Sequence, residues 1–194
     1  MTQSLSSLAR AARSCTLCAS DLPLGPRPVF QLGAGARILV AAQAPGTKVH
    51  ASGRPFTDAS GDRLREWMGI DVETFYDQDK IAILPMGFCY PGRGKSGDKP
   101  PRRECAPEWR QKFIDYLPNI RLTLVIGQYA MAWHLRETKR SNLTGTMRSW
   151  EAYWPGVLPL PHPSPRNNIW LKKNPWLESD LLPALRKAVR SALS

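Results

Sequence analysis

The chain is short of acid, short of histidine and cysteine, and has no long apolar run. Sixteen Asp and Glu stand against twenty-seven Lys and Arg, a formal net charge of +11. Such an imbalance says little about fold. It argues for polyanionic partners, nucleic acid first and an anionic membrane surface second, with a basic surface that only aids solubility as the plain alternative. No stretch approaches the roughly 18 to 20 apolar residues that a spanning helix needs, so no membrane insertion is expected. Met1 to Arg13 mixes Ser, Gln and Arg and lacks the apolar segment of a secretory signal, so the expected location is cytoplasmic. In that compartment four cysteines point to metal ligands or free thiols before disulfides. No Gly-x-Gly-x-x-Gly follows a strand-like run, because Gly33-Ala34-Gly35 precedes one. Gly92-Arg93-Gly94-Lys95-Ser96 lacks the spacing of a nucleotide phosphate loop, so ATP use is not expected. With neither an internal repeat nor a low-complexity linker, residues 1–194 read as one domain.

What is present suffices for a packed core: 42% of residues are apolar and 22% charged. Four short β-branched runs, Arg37 to Ala42, Ile81 to Leu84, Leu122 to Ile126 and Val157 to Leu160, are continuous in the manner of strands buried on both faces. Helical spacing separates them. Leu64, Trp67 and Met68 share a face behind a Ser60 cap; Trp109, Phe113, Tyr116 and Leu117 repeat at three and four. So do Ala130, Met131, His134 and Leu135, then Leu181, Leu182, Leu185 and Val189, while Tyr76 to Asp79 reads only as a turn. The alternation predicts an α/β fold, a three-layer α/β/α sandwich around a central, mainly parallel four-stranded sheet. Each strand ends in an odd loop: Gln43 to Phe56, Pro85 to Gly97, Gly127–Gln128 and Pro161 to Asn168. Ligands of open parallel sheets bind beyond such carboxyl ends.

The cysteines fall into a Cys15-Thr16-Leu17-Cys18 pair and a second pair, Cys89 and Cys105, that encloses a Pro- and Gly-rich loop. Four sulfurs suit zinc or a [4Fe–4S] cluster equally by ligand type, and unligated thiols or a redox pair stay open. The enclosed loop carries Arg93, Lys95, Lys99, Arg102 and Arg103, a surface fit for phosphates. Arg166, Lys172 and Lys173 lie among Trp170 and Trp176, a mixture suited to base stacking, although most tryptophans must be core. In Pro161-His162-Pro163-Ser164-Pro165 the prolines fix the backbone on both sides of His162, which suits the placing of one hydrogen-bond donor. Asp58, ahead of a helix, reads first as an ordinary cap.

Taken together, these loops resemble the uracil-DNA glycosylase superfamily, and most closely its iron–sulfur branches. Gln43-Ala44-Pro45-Gly46 with Gly53-Arg54-Pro55-Phe56 is similar to the family's first motif, and His162-Pro163-Ser164-Pro165 to its second. Cys15, Cys18, Cys89 and Cys105 match the cluster ligands in order, which implies a structural [4Fe–4S] cluster, with zinc as the alternative. The resemblance implies hydrolysis of the N-glycosidic bond of uracil in single- or double-stranded DNA by a monomer. It places Phe56 against the extruded base, His162 on uracil O2, Ser164 near the DNA backbone and Arg166 where a wedge residue stands. Ala44 and Gly46 belong to the same substrate loop. The chain departs from the pattern twice. Gln43 replaces an acid and can orient water but cannot serve as a base, so the water-positioning role moves to Asp58. Pro85 replaces a base-reading Asn, so recognition is expected from backbone groups of Met86, Gly87 and Phe88. Two alternatives remain: a relative that traps uracil-DNA covalently, His50 following the first motif, and a non-catalytic metal-containing nucleic-acid-binding module.

Overall fold

The computed structural model describes residues 4–95, 97–136 and 142–194; Ser96, the last residue of the Gly92-to-Ser96 segment, lies outside them. The strands are β1 (Ile38–Ala41), β2 (Ile81–Ile83), β3 (Arg93–Gly94), β4 (Gly97–Asp98), β5 (Leu122–Ile126) and β6 (Val157–Leu160). The helices are α1 (Leu5–Arg13), α2 (Thr47–Ser52), α3 (Ala59–Met68), α4 (Val72–Tyr76), α5 (Cys105–Ile114), α6 (Gly127–His134), α7 (Leu143–Arg148), α8 (Asn168–Lys173) and α9 (Leu182–Leu193). β2, β1, β5 and β6 form, in that order, one wholly parallel sheet, and β3 pairs with β4 in a separate antiparallel hairpin.

Side-chain alternation along the strands sets the layers. Ile38 and Val40, with Ile81, Ile83, Leu122 and Leu124, face Leu64 and Trp67 of α3, Phe75 of α4 and Leu185 and Val189 of α9. Leu39 and Ala82 face the other way, onto Leu8 and Ala12 of α1 and Trp109 and Phe113 of α5. Ala41 and Val125 meet Ala130 and Met131 of α6 and Met147 of α7. The sheet is thus covered on both faces, a three-layer α/β/α fold, and each fully buried Leu or Ile contributes roughly 1.5–3 kcal/mol.

All four sheet strands form where the apolar runs predict them, with ends differing by a residue or so. The helix boundaries depart further. Asp58, not Ser60, caps α3: its backbone is extended and its Oδ1 accepts the Gly61 N–H at 3.3 Å, while Ser60 is buried inside the helix. α5 stops at Ile114, so Tyr116 and Leu117 lie in the turn beyond it. The Tyr76 turn is preceded by α4, which Asp71 caps by accepting the Thr74 N–H at 2.6 Å.

Candidate functional site

Three strand ends converge on one cleft of about 500 Å³. The loop after β1 contributes Gln43, Ala44 and Gly46, and the approach to α3 contributes Phe56 and Asp58. Pro85 comes from the end of β2, Asp98 from β4, and His162, Ser164 and Arg166 from the loop after β6. The two sequence motifs, about a hundred residues apart in the chain, therefore share one hollow.

Phe56 sits there at a conformational cost. Its φ is +55°, in the left-handed region that an aromatic residue seldom adopts. The surroundings hold it: the Tyr76 hydroxyl is shared between the carbonyls of Pro55 (2.9 Å) and Phe56 (3.0 Å), and Arg65 donates to the Phe56 carbonyl at 3.3 Å. Gly61 presses so close that a Cβ there would collide with the Phe56 carbonyl oxygen. The ring meets Phe75 edge-on at 6.0 Å, which leaves it a fixed wall of the cleft.

His162 is held as a neutral donor. The Ser164 N–H donates to its Nδ1 at 3.2 Å, so the proton of the neutral ring belongs on Nε2, and no described residue accepts it there. Burial pushes its pKa below the ordinary histidine value; Asp58 opposes that, Arg166 adds to it, and Asp98 opposes it again. The loop around it is clamped. Asn167 donates to the His162 carbonyl at 2.7 Å, and Arg63 of α3 reaches the carbonyls of Pro163 and Ser164, both at 3.3 Å. The side chain of Ser164 is turned inward, accepting the Arg166 N–H at 3.3 Å. Asp58 keeps one oxygen on the α3 N-terminus and still lines the cleft.

Met86, Gly87 and Phe88 lie elsewhere. None is among the described residues that line the cleft, and their amides are already engaged: Met86 donates to Ala42 O (2.8 Å), Gly87 to Gln43 O (2.9 Å) and Phe88 to Cys105 Sγ (3.3 Å). Met86 is core, and Gly87 and Phe88 face the cysteines. Their N–H groups are therefore already spent on the protein's own acceptors. His50 is also outside the cleft wall, its ring 6.3 Å from that of Tyr90.

Sequence reasoning missed what supports Pro85 from behind. Arg110 of α5 is fully buried and donates to the carbonyls of Leu84 (2.8 Å) and Pro85 (3.3 Å), and its Nη2 lies 2.7 Å from His134 Nε2. Burial lowers its pKa to about 10, so it stays charged, while burial and then the neighbouring cation lower His134 to about 3. A helical pattern around His134 carries no sign of this partnership; only the tertiary structure reveals it.

Cys15, Cys18, Cys89 and Cys105 form no disulfide and line a second, small cavity of about 20 Å³ with Phe88, Arg102 and Trp109. Burial pushes the Cys89 thiol up to about 11 and that of Cys105 to about 12. Trp109 Nε1 is buried in this wall with no partner among the described residues. Among those residues no group of three or more His, Cys, Asp or Glu could hold a metal ion as placed. Nor is any described helix long and apolar enough to cross a membrane.

The strands, the hairpin and every cleft-lining residue but Val29 fall within residues 30–186, the span matched by the family model for the uracil DNA glycosylase superfamily. With strand-end loops, cleft and family match in agreement over most of its length, the chain belongs to that superfamily.

Proposed function

We propose that the protein is a DNA glycosylase that hydrolyses the bond between deoxyribose C1′ and uracil N1, leaving an abasic site. Membership of the superfamily supports a DNA glycosylase-type enzyme. The observation that carries the uracil reading is the neutral His162 with an uncommitted Nε2–H, in the same cleft as Phe56 and Asp58. A base drawn out of the stack would rest on Phe56, unstacking costing a few kcal/mol. As the C1′–N1 bond loosens, negative charge gathers on uracil O2, where a fixed donor is worth more than in the ground state. A neutral ring supplies that donor without placing another cation beside the positively charged sugar. Asp58 supplies the opposite charge on the sugar side and a partner for water.

The four cysteines line one small cavity, and four sulfurs suit a [4Fe–4S] cluster or zinc by ligand type. Cys15, Cys18, Cys89 and Cys105 would hold a [4Fe–4S] cluster, which when bound supplies a structural link between the N-terminal segment and the basic loop. Cys89→Ser should strip iron and the broad visible absorption from anaerobically purified protein; retention of both would remove Cys89 from the ligand set, and a wild type with neither would remove the cluster from this reading.

The decisive experiment is release of uracil from labelled single- and double-stranded oligonucleotides by the wild-type protein, read beside a band shift. Binding without release would favour a non-catalytic module. A complex that survives denaturation would favour covalent trapping.

A further inference from the structure

We infer that Asp98, on the β3–β4 hairpin, is a catalytic carboxylate of this cleft, supplying the acid that the loop after β1 lacks at position 43. The inference rests on the glycosylase reading above and names the group that receives the proton of the attacking water.

Asp98 lines the cleft, and its Oδ2 would lie 3.6 Å from a Cβ on Gly46, so the carboxylate overhangs the loop that begins with Gln43. Its charge is felt at His162, where it raises the pKa of the ring. Among the described residues its side chain makes no hydrogen bond and no ion pair, although cations crowd the same loop. Arg102 pairs instead with Asp21 (3.0 Å) and Glu104 (2.7 Å), and Arg103 approaches Glu104 (3.9 Å). A carboxylate with no partner among the described residues, in the wall of a cleft and in a chain of net charge +11, has both oxygens available to water. Asp58 differs, because one of its oxygens is committed to the Gly61 N–H.

The hairpin is held where this role needs it. Gln43 Nε2 donates to the Lys99 carbonyl at 3.5 Å, a weak bond, and the Lys99 N–H donates to Gly92 O at 2.8 Å. Arg166 lies so close to Gly97, whose φ is +150°, that a Cβ there would be 2.8 Å from Nη1. Two cleft residues thus brace the segment that presents Asp98. This accounts for the amide at position 43: a glutamate could not donate to Lys99 and would set a second carboxylate against Asp98. In the reaction, water oxygen bonds to C1′ as the C1′–N1 bond breaks and its electron pair leaves with uracil. The water proton passes to Asp98 and on to solvent, and the uracil anion is protonated from solvent after release.

The test is single-turnover uracil release by wild type, Asp98→Asn, Asp98→Glu, Gln43→Glu and the double variant Gln43→Glu/Asp98→Asn, with oligonucleotide affinity and melting temperature measured for each. Asp98→Asn should lower the rate about a hundredfold or more with affinity and melting temperature unchanged. Asp98→Glu should retain part of the rate, Gln43→Glu should lose rate, and the double variant should exceed Asp98→Asn by returning a lone carboxylate to the cleft. A rate for Asp98→Asn within about twofold of an active wild type overturns the inference alone. So does a rate loss that tracks a lowered melting temperature and is no milder in Asp98→Glu, which would make Asp98 a hairpin support. A wild type that releases no uracil from either DNA overturns the glycosylase reading and this inference with it.

Discussion

Two histidines in this chain are kept neutral for different ends. His162 accepts the Ser164 N–H at Nδ1, which protonation would abolish, and presents Nε2–H to the cleft. Replacing it by Ala should cost about 3 kcal/mol of transition-state stabilisation, around a hundredfold in single-turnover rate, with oligonucleotide affinity retained. The acid limb of the wild-type rate should fall below the ordinary histidine range, because burial lowers the pKa and only the neutral ring both keeps its loop contact and spares the sugar a second cation. His134 serves stability instead. Its Nε2 accepts from buried Arg110, and its pKa falls from the ordinary 6.5 to about 3. The unfolded chain therefore binds the proton first as pH drops. The stabilisation is whole above pH 6.5 and is lost between 6.5 and about 3. His134→Gln keeps an acceptor for Arg110 but cannot titrate, so denaturant midpoints of the variant should decline less steeply than wild type across that window.

At the level of elements, the site depends on how tightly α3 is drawn against the segment before it. Gly61 stands one turn into the helix with its Cα against the Phe56 carbonyl, where a methyl has no room. Gly61→Ala should push Phe56 out of its left-handed conformation, destabilise the protein by about 1–3 kcal/mol in denaturant titrations, and lower uracil release more than affinity. The same element marks where sequence reading works and where it fails. Continuous apolar runs such as Leu122 to Ile126 announce strands because burial on both faces leaves no polar register to confuse. Short helices such as α2 and α4, of six and five residues, carry too few turns for periodicity to register. The convergence of Phe56, Asp58 and His162 was legible, since each lies in a loop at a carboxyl end of one parallel sheet. The engagement of the Met86, Gly87 and Phe88 amides by Ala42 O, Gln43 O and Cys105 Sγ was not, since these are long-range pairings that local sequence does not encode. Asp98 was hidden in the same way, one of two acids in a basic loop until the hairpin brings it into the cleft wall.

For the molecule as a whole, the +11 charge is useful only if it lies where DNA passes. Lys48 and Arg166 are cations in the cleft wall, and Arg166 crosses from the loop after β6 to the β4 side of the hairpin. A guanidinium placed across the mouth is suited to a phosphate beside the extruded nucleotide. The resemblance puts it where a wedge in the emptied stack stands, but an arginine can also bind phosphate, and the geometry favours phosphate, since its reach is taken up along the hairpin. The two roles differ in measurable ways. A phosphate contact releases counterions, so Arg166→Ala should weaken binding to single- and double-stranded oligonucleotides alike and reduce the slope of log affinity against log salt by about 1. A wedge would matter for duplex only and leave the slope unchanged, because filling a stack displaces no counterion. The variant should also raise the pKa of His162, since Arg166 adds to burial in holding it down. An acid limb of the rate moved to higher pH, together with the shallower salt slope, would place one side chain in both DNA binding and the protonation state of the donor.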